Sequence, residues 1–246
     1  MKRFIALLTL ILAGASLIVP TLAFADREQE SSRRNLRDEA NKHAQNGRWE
    51  GVQSAYKKLL RLKKVSMCYQ DYYIGALVGR ELDGADKMLT RLWGAQARLN
   101  NVPKDCNTPS RADGLKQELK DWISAEQDSY GYVKIKAKKG TELTWTDAPF
   151  AREVRNAGET AFAAIKKKRK FTGLLPVGDY KVSDGSTITV KKTDWKKSKD
   201  CVRKIQKKNR PKFSSCFKKA KAQKFKIKGK KAKKKKFRFP WQKKKK

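Results

Sequence analysis

Apolar positions in the first half of the chain recur at helical spacing. Leu36, Ala40 and Ala44 lie four apart and stop at Asn46-Gly47-Arg48, where a helix would end and turn. Trp49, Val52, Tyr56 and Leu59 with Leu60 follow at i, i+3, i+7 and i+10/i+11, one face of a second helix. After Lys63-Lys64 the pattern returns: Tyr72, Ala76 and Leu77, a break at Leu82-Asp83-Gly84, then Ala85, Met88, Leu92, Ala95 and Leu99. These runs predict two helical hairpins. A further helix carries Leu115, Leu119, Trp122 and Ile123 at i, i+4, i+7 and i+8, entered through Asn107-Thr108-Pro109. Trp49, Tyr56, Tyr72 and Trp93 are read as packing residues of this helical domain, residues 35–128.

The period changes at about residue 130. Val133, Ile135 and Ala137 alternate with Lys134, Lys136 and Lys138, which predicts a strand with one apolar face and one row of cations. Lys139-Gly140 turns it, and Leu143 with Trp145 make a second short strand. Ala157, Ala161, Ala164 and Ile165 return to helical spacing, an insertion between strands. Strand chemistry resumes at residues 173–182 and passes through Ser183-Asp184-Gly185-Ser186 into Ile188 and Val190. An Asp-Gly pair between alternating apolar residues is a hairpin signal. The fold class expected is therefore α+β: helical hairpins, then a small β module over residues 130–190.

Charge divides the chain differently. Its 246 residues carry a net charge of +37, and 28 of the 61 Lys and Arg lie in residues 191–246, with Asp194 and Asp200 the only acids there. That composition predicts a lysine-rich, largely disordered C-terminal tail. A surplus so localised is the footprint of a polyanion partner. Aromatics are interleaved with the cations. Phe225 alternates with Lys224, Lys226 and Lys228, and Phe237, Phe239 and Trp241 with Lys236, Arg238 and Pro240, so an extended chain presents one aromatic and one basic edge. Lys230, Lys233, Lys234 and Lys235 complete the polyanion-binding candidates. Such a segment suits an anionic lipid surface, lipopolysaccharide or acidic polysaccharide. It also suits single-stranded nucleic acid, with rings stacked on bases, or it is a solvated extension with no defined partner. Lysine outnumbers arginine, which favours diffuse, salt-sensitive attraction over bidentate recognition.

The first residues bear on the compartment. Lys2-Arg3, the apolar run Phe4 to Val19 and Ala23-Phe24-Ala25 have the layout of a signal peptide over residues 1–25, cleaved after Ala25. Residues 26–34 are polar and expected to be flexible. The apolar run also approaches the length of a membrane span, so an uncleaved anchor is the competing reading; no later segment is apolar enough to cross a bilayer. After export, Cys68, Cys106, Cys201 and Cys216 become disulfide candidates with three connectivities. Sequence-local pairing, Cys68 with Cys106 and Cys201 with Cys216, is preferred because it respects the module boundaries. A zinc site is not expected, since no C-x-x-C occurs and His43 is the only histidine.

Two resemblances sharpen the expectation. Ala40, Gly47, Trp49, Val52, Tyr56 and Leu59, followed by Ala76, Gly84, Ala85, Met88, Leu92 and Ala95, resemble degenerate tetratricopeptide repeats, with 36 positions from Trp49 to Ala85 against about 34 in that family. The resemblance implies a groove for a protein partner. Leu175-Pro176-Val177-Gly178-Asp179-Tyr180-Lys181-Val182 resembles the closing strand of the PEGA domains of bacterial surface proteins, which implies an envelope-facing accessory module without a cofactor. No nucleophile–base pair, phosphate-binding glycine loop or metal motif is present. The expected function is that of an exported, periplasmic or secreted non-enzymatic scaffold whose tail docks on an anionic envelope component; a nucleic-acid-binding protein is the alternative.

Overall fold

Among the described residues, helical spacing in the front of the chain becomes five helices: α1 (27–45), α2 (Trp49–Arg61), α3 (Tyr69–Val78), α4 (Ala85–Asn100) and α5 (Ala112–Ser129). The computed structural model describes residues 27–208 and 211–227, so the leader and its cleavage point lie outside the described residues. The α1–α2 and α3–α4 turns fall at glycines. Gly47 sits at φ +65°, and α3 leaves through one π turn, Gly79–Asp83, which Gly84 closes at φ +99° by donating to the Gly79 carbonyl at 2.8 Å. A Cβ on Gly79 would stand 2.6 Å from the Met88 backbone, so only glycine lets the π turn lie against α4.

Residues 27–34 are helical, contrary to the flexibility expected of them. The reason is Arg33, which is 3% exposed and donates to the Ser66 carbonyl at 2.9 Å and to the Asp105 carboxylate at 3.3 Å. Asp105 in turn accepts from the Ser66 backbone at 2.6 Å, beside a Cys68–Cys106 disulfide that ties the same loops together. One turn further along α1, Arg37 forks onto Asp71 at 2.6 and 3.0 Å, and Asp71 is fully buried at the start of α3. The polar start of the chain is thus held by ion pairs to residues far along the sequence, which local composition does not reveal.

Among the described residues six strands form two three-stranded sheets. β1 (Tyr130–Lys136), β3 (Lys170–Pro176) and β6 (Gln223–Lys226) make the first in the order β3-β1-β6; β2 (Leu143–Trp145), β4 (Gly178–Val182) and β5 (Thr187–Val190) make the second in the order β2-β4-β5. Helix α6 (Arg152–Lys168) is the insertion between β2 and β3. Val133, Ile135, Leu175, Tyr180, Val182 and Val190 from the sheets close on Ala161 and Ile165 of α6 in one core. The fold is α+β, as the alternation of periods implies.

The expected boundary at residue 190 is not a boundary. Residues 191–208 and 211–227, read as disordered tail, contribute α7 (Lys196–Ile205), α8 (Phe213–Phe217) and β6. Trp195, Val202, Phe213 and Phe217 bury themselves in the same cluster as Leu92, Trp93 and Tyr132. Ring centroids lie 5.8 Å apart for Trp93–Trp195, 5.5 Å for Trp195–Phe217 and 4.8 Å for Tyr132–Phe217. Aromatic pairs at such distances contribute about 0.5–1.5 kcal/mol each beyond the area they bury. A few large rings therefore anchor a segment whose average composition is that of a solvated chain. The Cys201–Cys216 disulfide joins α7 to α8.

Candidate polyanion-binding face

β1 decides where the lysines go. Side chains alternate along a strand, so Val133 and Ile135 turn into the β core while Tyr130, Tyr132, Lys134 and Lys136 share the opposite face. The two tyrosines lie under the helices, with Tyr132 against Phe217. Lys134 and Lys136 project beyond that cover and are exposed.

The neighbouring strands extend the lysine face in both directions. Antiparallel pairing sets Thr172 opposite Lys134 and Lys170 opposite Lys136; parallel pairing sets Lys224 opposite Lys134 and Lys226 opposite Lys136. Two rows result, Thr172–Lys134–Lys224 and Lys170–Lys136–Lys226, all exposed. Between β1 and β6 a groove of about 270 Å³ is lined by Lys134, Lys136, Lys224, Phe225 and Lys226. Like charges directly opposite one another in a sheet are destabilising, by roughly 0.2–1 kcal/mol per pair. Among the described residues none of these five lysines has an ion pair, and the Glu142 carboxylate bonds Lys166 at 2.7 Å. The face is thus an array of unneutralised cations, whose mutual repulsion an external polyanion would relieve.

β6 holds its place through contacts that the charge-dominated sequence hides. The Gln223 amide accepts from the Lys191 backbone at 2.9 Å and donates back to its carbonyl at 2.5 Å. Ile227 is buried and donates its N–H to the Lys136 carbonyl at 2.9 Å, continuing the parallel ladder. Upstream, α8 fixes the approach of the strand through Phe217 and the Cys201–Cys216 bond.

Of the candidate residues, Lys224 and Lys226 lie on this face. Phe225 lines the groove between β1 and β6, but it pairs with Ile135 and packs, half-buried, against the β core. The aromatic edge expected to meet a ligand is at this position the edge that anchors the strand. Lys228, Lys230, Lys233, Lys234, Lys235, Lys236, Phe237, Arg238, Phe239 and Trp241 lie outside the described residues. Both sequence-local cysteine pairs are bonded, Cys68–Cys106 at 1.93 Å and Cys201–Cys216 at 1.95 Å. Lys170 carries no sequence signal of its own, because only the antiparallel register sets it across from Lys136. His43 lies with its ring against Gly51, where a Cβ would come within 2.6 Å of it.

In the helical front several buried charged groups are matched. Arg91 donates to Asp83 at 2.7 Å and to the Gly75 carbonyl at 2.7 Å, and its guanidinium lies 4.7 Å over the Tyr56 ring. Burial pushes the Asp83 carboxyl up, but Arg91, Lys87 and Gln53 outweigh it and hold the group below the usual carboxylate range. Burial pushes the Tyr56 phenol up to about 12. No helix among the described residues is long and apolar enough to cross a membrane. Comparison of the chain with family models, curated proteins and solved structures finds no match.

Proposed function

We propose that this chain is an exported, non-enzymatic scaffold that docks on an anionic component of the cell envelope: lipopolysaccharide, anionic lipid or acidic polysaccharide. The observation that carries the reading is the in-register pairing of Lys134 with Lys224 and of Lys136 with Lys226, with no carboxylate paired to any of them among the described residues. The sequence after Ile227 adds 12 more Lys and Arg and no acid, and it follows directly from the strand that bears Lys224 and Lys226. Two disulfides agree with passage through an oxidising compartment, periplasmic or extracellular. The leader-like first residues support the same route. In this reading the front helices are degenerate tetratricopeptide-like hairpins offering a surface to a protein partner, and the β module is a PEGA-like accessory domain.

The nucleic-acid alternative is less well supported. Stacking on bases requires exposed rings beside the lysines, and Phe225 packs inward. The test is co-sedimentation of the full chain with acidic liposomes, lipopolysaccharide, an acidic polysaccharide and single-stranded DNA over a salt series. Salt-sensitive binding to an envelope component well above that to DNA is the expected result. Preference for DNA, or no binding at low salt, would reject the proposal.

A further inference from the structure

The opposite end of β1 carries the opposite charge. A cavity of about 290 Å³ opens between the π turn with the start of α4, the end of α5 and the start of α6. Its charged lining is Arg80, Glu81, Glu126 and Glu153, acidic on a protein of net charge +37. Arg80 is already matched: it donates to Glu81 at 2.8 Å, with its guanidinium 5.9 Å over the Trp122 ring. Glu126 accepts from the Trp122 indole at 2.9 Å, and neither it nor Glu153 has a cationic partner within 4.0 Å among the described residues. Burial pushes the Glu126 carboxyl up against the pull of Trp122 and Arg80, and Glu153 adds to the rise.

A second, independent feature points to a ligand. Tyr130 is 2% exposed and lines this cavity; its hydroxyl bonds to none of the described residues and is not among the buried atoms sealed from solvent. A phenolic oxygen that reaches a cavity without a protein partner is free to bond a bound group or a water there. Burial, with the charges of Glu126 and Glu153 adding to it, keeps the Tyr130 phenol protonated. Met88, Val154 and Leu82 supply apolar wall beside the polar end, with Leu82 exposed at the rim.

We propose that this cleft binds an alkylammonium group: the cationic head sits among Glu126, Glu153 and the Tyr130 hydroxyl, and the aliphatic stem runs along Met88 and Val154. A primary ammonium donates three hydrogen bonds and accepts none. Two unpaired carboxylates and a phenolic oxygen offer the matching acceptors, and the Trp122 ring favours a cation nearby. The same chemistry arrives from two sources, a lysine side chain or a free aliphatic amine. Gly84 and Ala151, which precede α4 and α6 without side-chain caps, also line the cavity, so an anion is the competing occupant.

The test is calorimetric titration of the full chain with n-hexylammonium, with n-hexanesulfonate as the anionic control. Saturable one-to-one binding of the amine is expected, weakened at least tenfold by Glu126→Gln and again by Glu153→Gln, with no saturable binding of the sulfonate. Glu153 is exposed, so its variant keeps the fold even if Glu126→Gln does not. A synthetic peptide of residues 228–246 and 1,5-diaminopentane are then compared as competitors. Stronger displacement by the peptide assigns the head group to lysine of this chain, and stronger displacement by the diamine assigns it to a free amine. Sulfonate binding as tight as the amine, absence of saturation, or unchanged affinity in both glutamine variants would overturn the proposal.

Discussion

The helical front and the C-terminal segment use charge in opposite ways. In the front, 19 Lys and Arg meet 16 acids between residues 26 and 129, and the buried members pair internally: Arg33 with Asp105, Arg37 with Asp71, Arg91 with Asp83. These charges are structural, and removing one partner leaves the other stranded in the interior. In the C-terminal segment the fold rests on rings and a disulfide, while Lys224 and Lys226 lie in the open beside other lysines. Cations that contribute nothing to the fold are free to serve a ligand. Stability and binding should therefore respond to different substitutions.

The largest effect is expected in the front. Arg37→Ala leaves Asp71 buried without its partner and should lower unfolding free energy by about 3–5 kcal/mol, measured by denaturant titration. Breaking the two disulfides separates the regions further. In the chain-entropy model the Cys68–Cys106 loop contributes roughly 4 kcal/mol and the Cys201–Cys216 loop about 3 kcal/mol. Only the second double Cys→Ser variant should also weaken polyanion binding per folded molecule and speed hydrogen exchange along β6, because only that loop positions Lys224 and Lys226. Equal loss of binding in both would erase the distinction.

Acid tests the front alone. Burial raises the Asp83 and Asp105 carboxyls, but Arg91 at the first and the Ser66 and Arg33 contacts at the second outweigh it, so both sit below their usual values. The unfolded chain takes up these protons first, so the stabilisation is fully present above about pH 4 and is lost as pH falls through the depressed folded values. Asp83→Asn should flatten the acid limb of the stability curve. The smallest stability change is expected at the lysine face, with the reverse sign. Lys134→Gln with Lys224→Gln removes an in-register like-charge pair and should stabilise the fold by about 0.2–1 kcal/mol, while weakening binding.

What was legible in the sequence follows the reach of each interaction. The alternation of Val133 and Ile135 with Lys134 and Lys136 located β1 and both its faces, because a strand's periodicity is local. The sequence-local cysteine pairing and the helix inserted before residue 170 were legible for the same reason. The order at residues 27–34 was not, since Arg33 finds Asp105 72 positions away. Residues 191–227 were hidden by their own composition: Trp195, Val202, Phe213 and Phe217 are too sparse to set a period across two short helices, and their burial depends on Trp93 and Tyr132. Phe225 was correctly separated from its lysine neighbours by alternation, but which face met solvent depended on pairing with β1. The acidic cleft has no signature either, because π turn, α5 and α6 bring Glu81, Glu126 and Glu153 together only in the fold.

The central claim is that the lysine array on β1 and β6 is a binding surface in its own right. Its most direct test is the affinity of the full chain for lipopolysaccharide and for acidic liposomes, compared with a variant carrying glutamine at positions 134, 136, 224 and 226. With each cation near an anionic lipid surface contributing about 1 kcal/mol, the expected loss approaches roughly a thousandfold at low salt, with a shallower salt dependence and an unchanged or slightly raised melting temperature. Equal affinity of the two proteins across the salt series would contradict the claim.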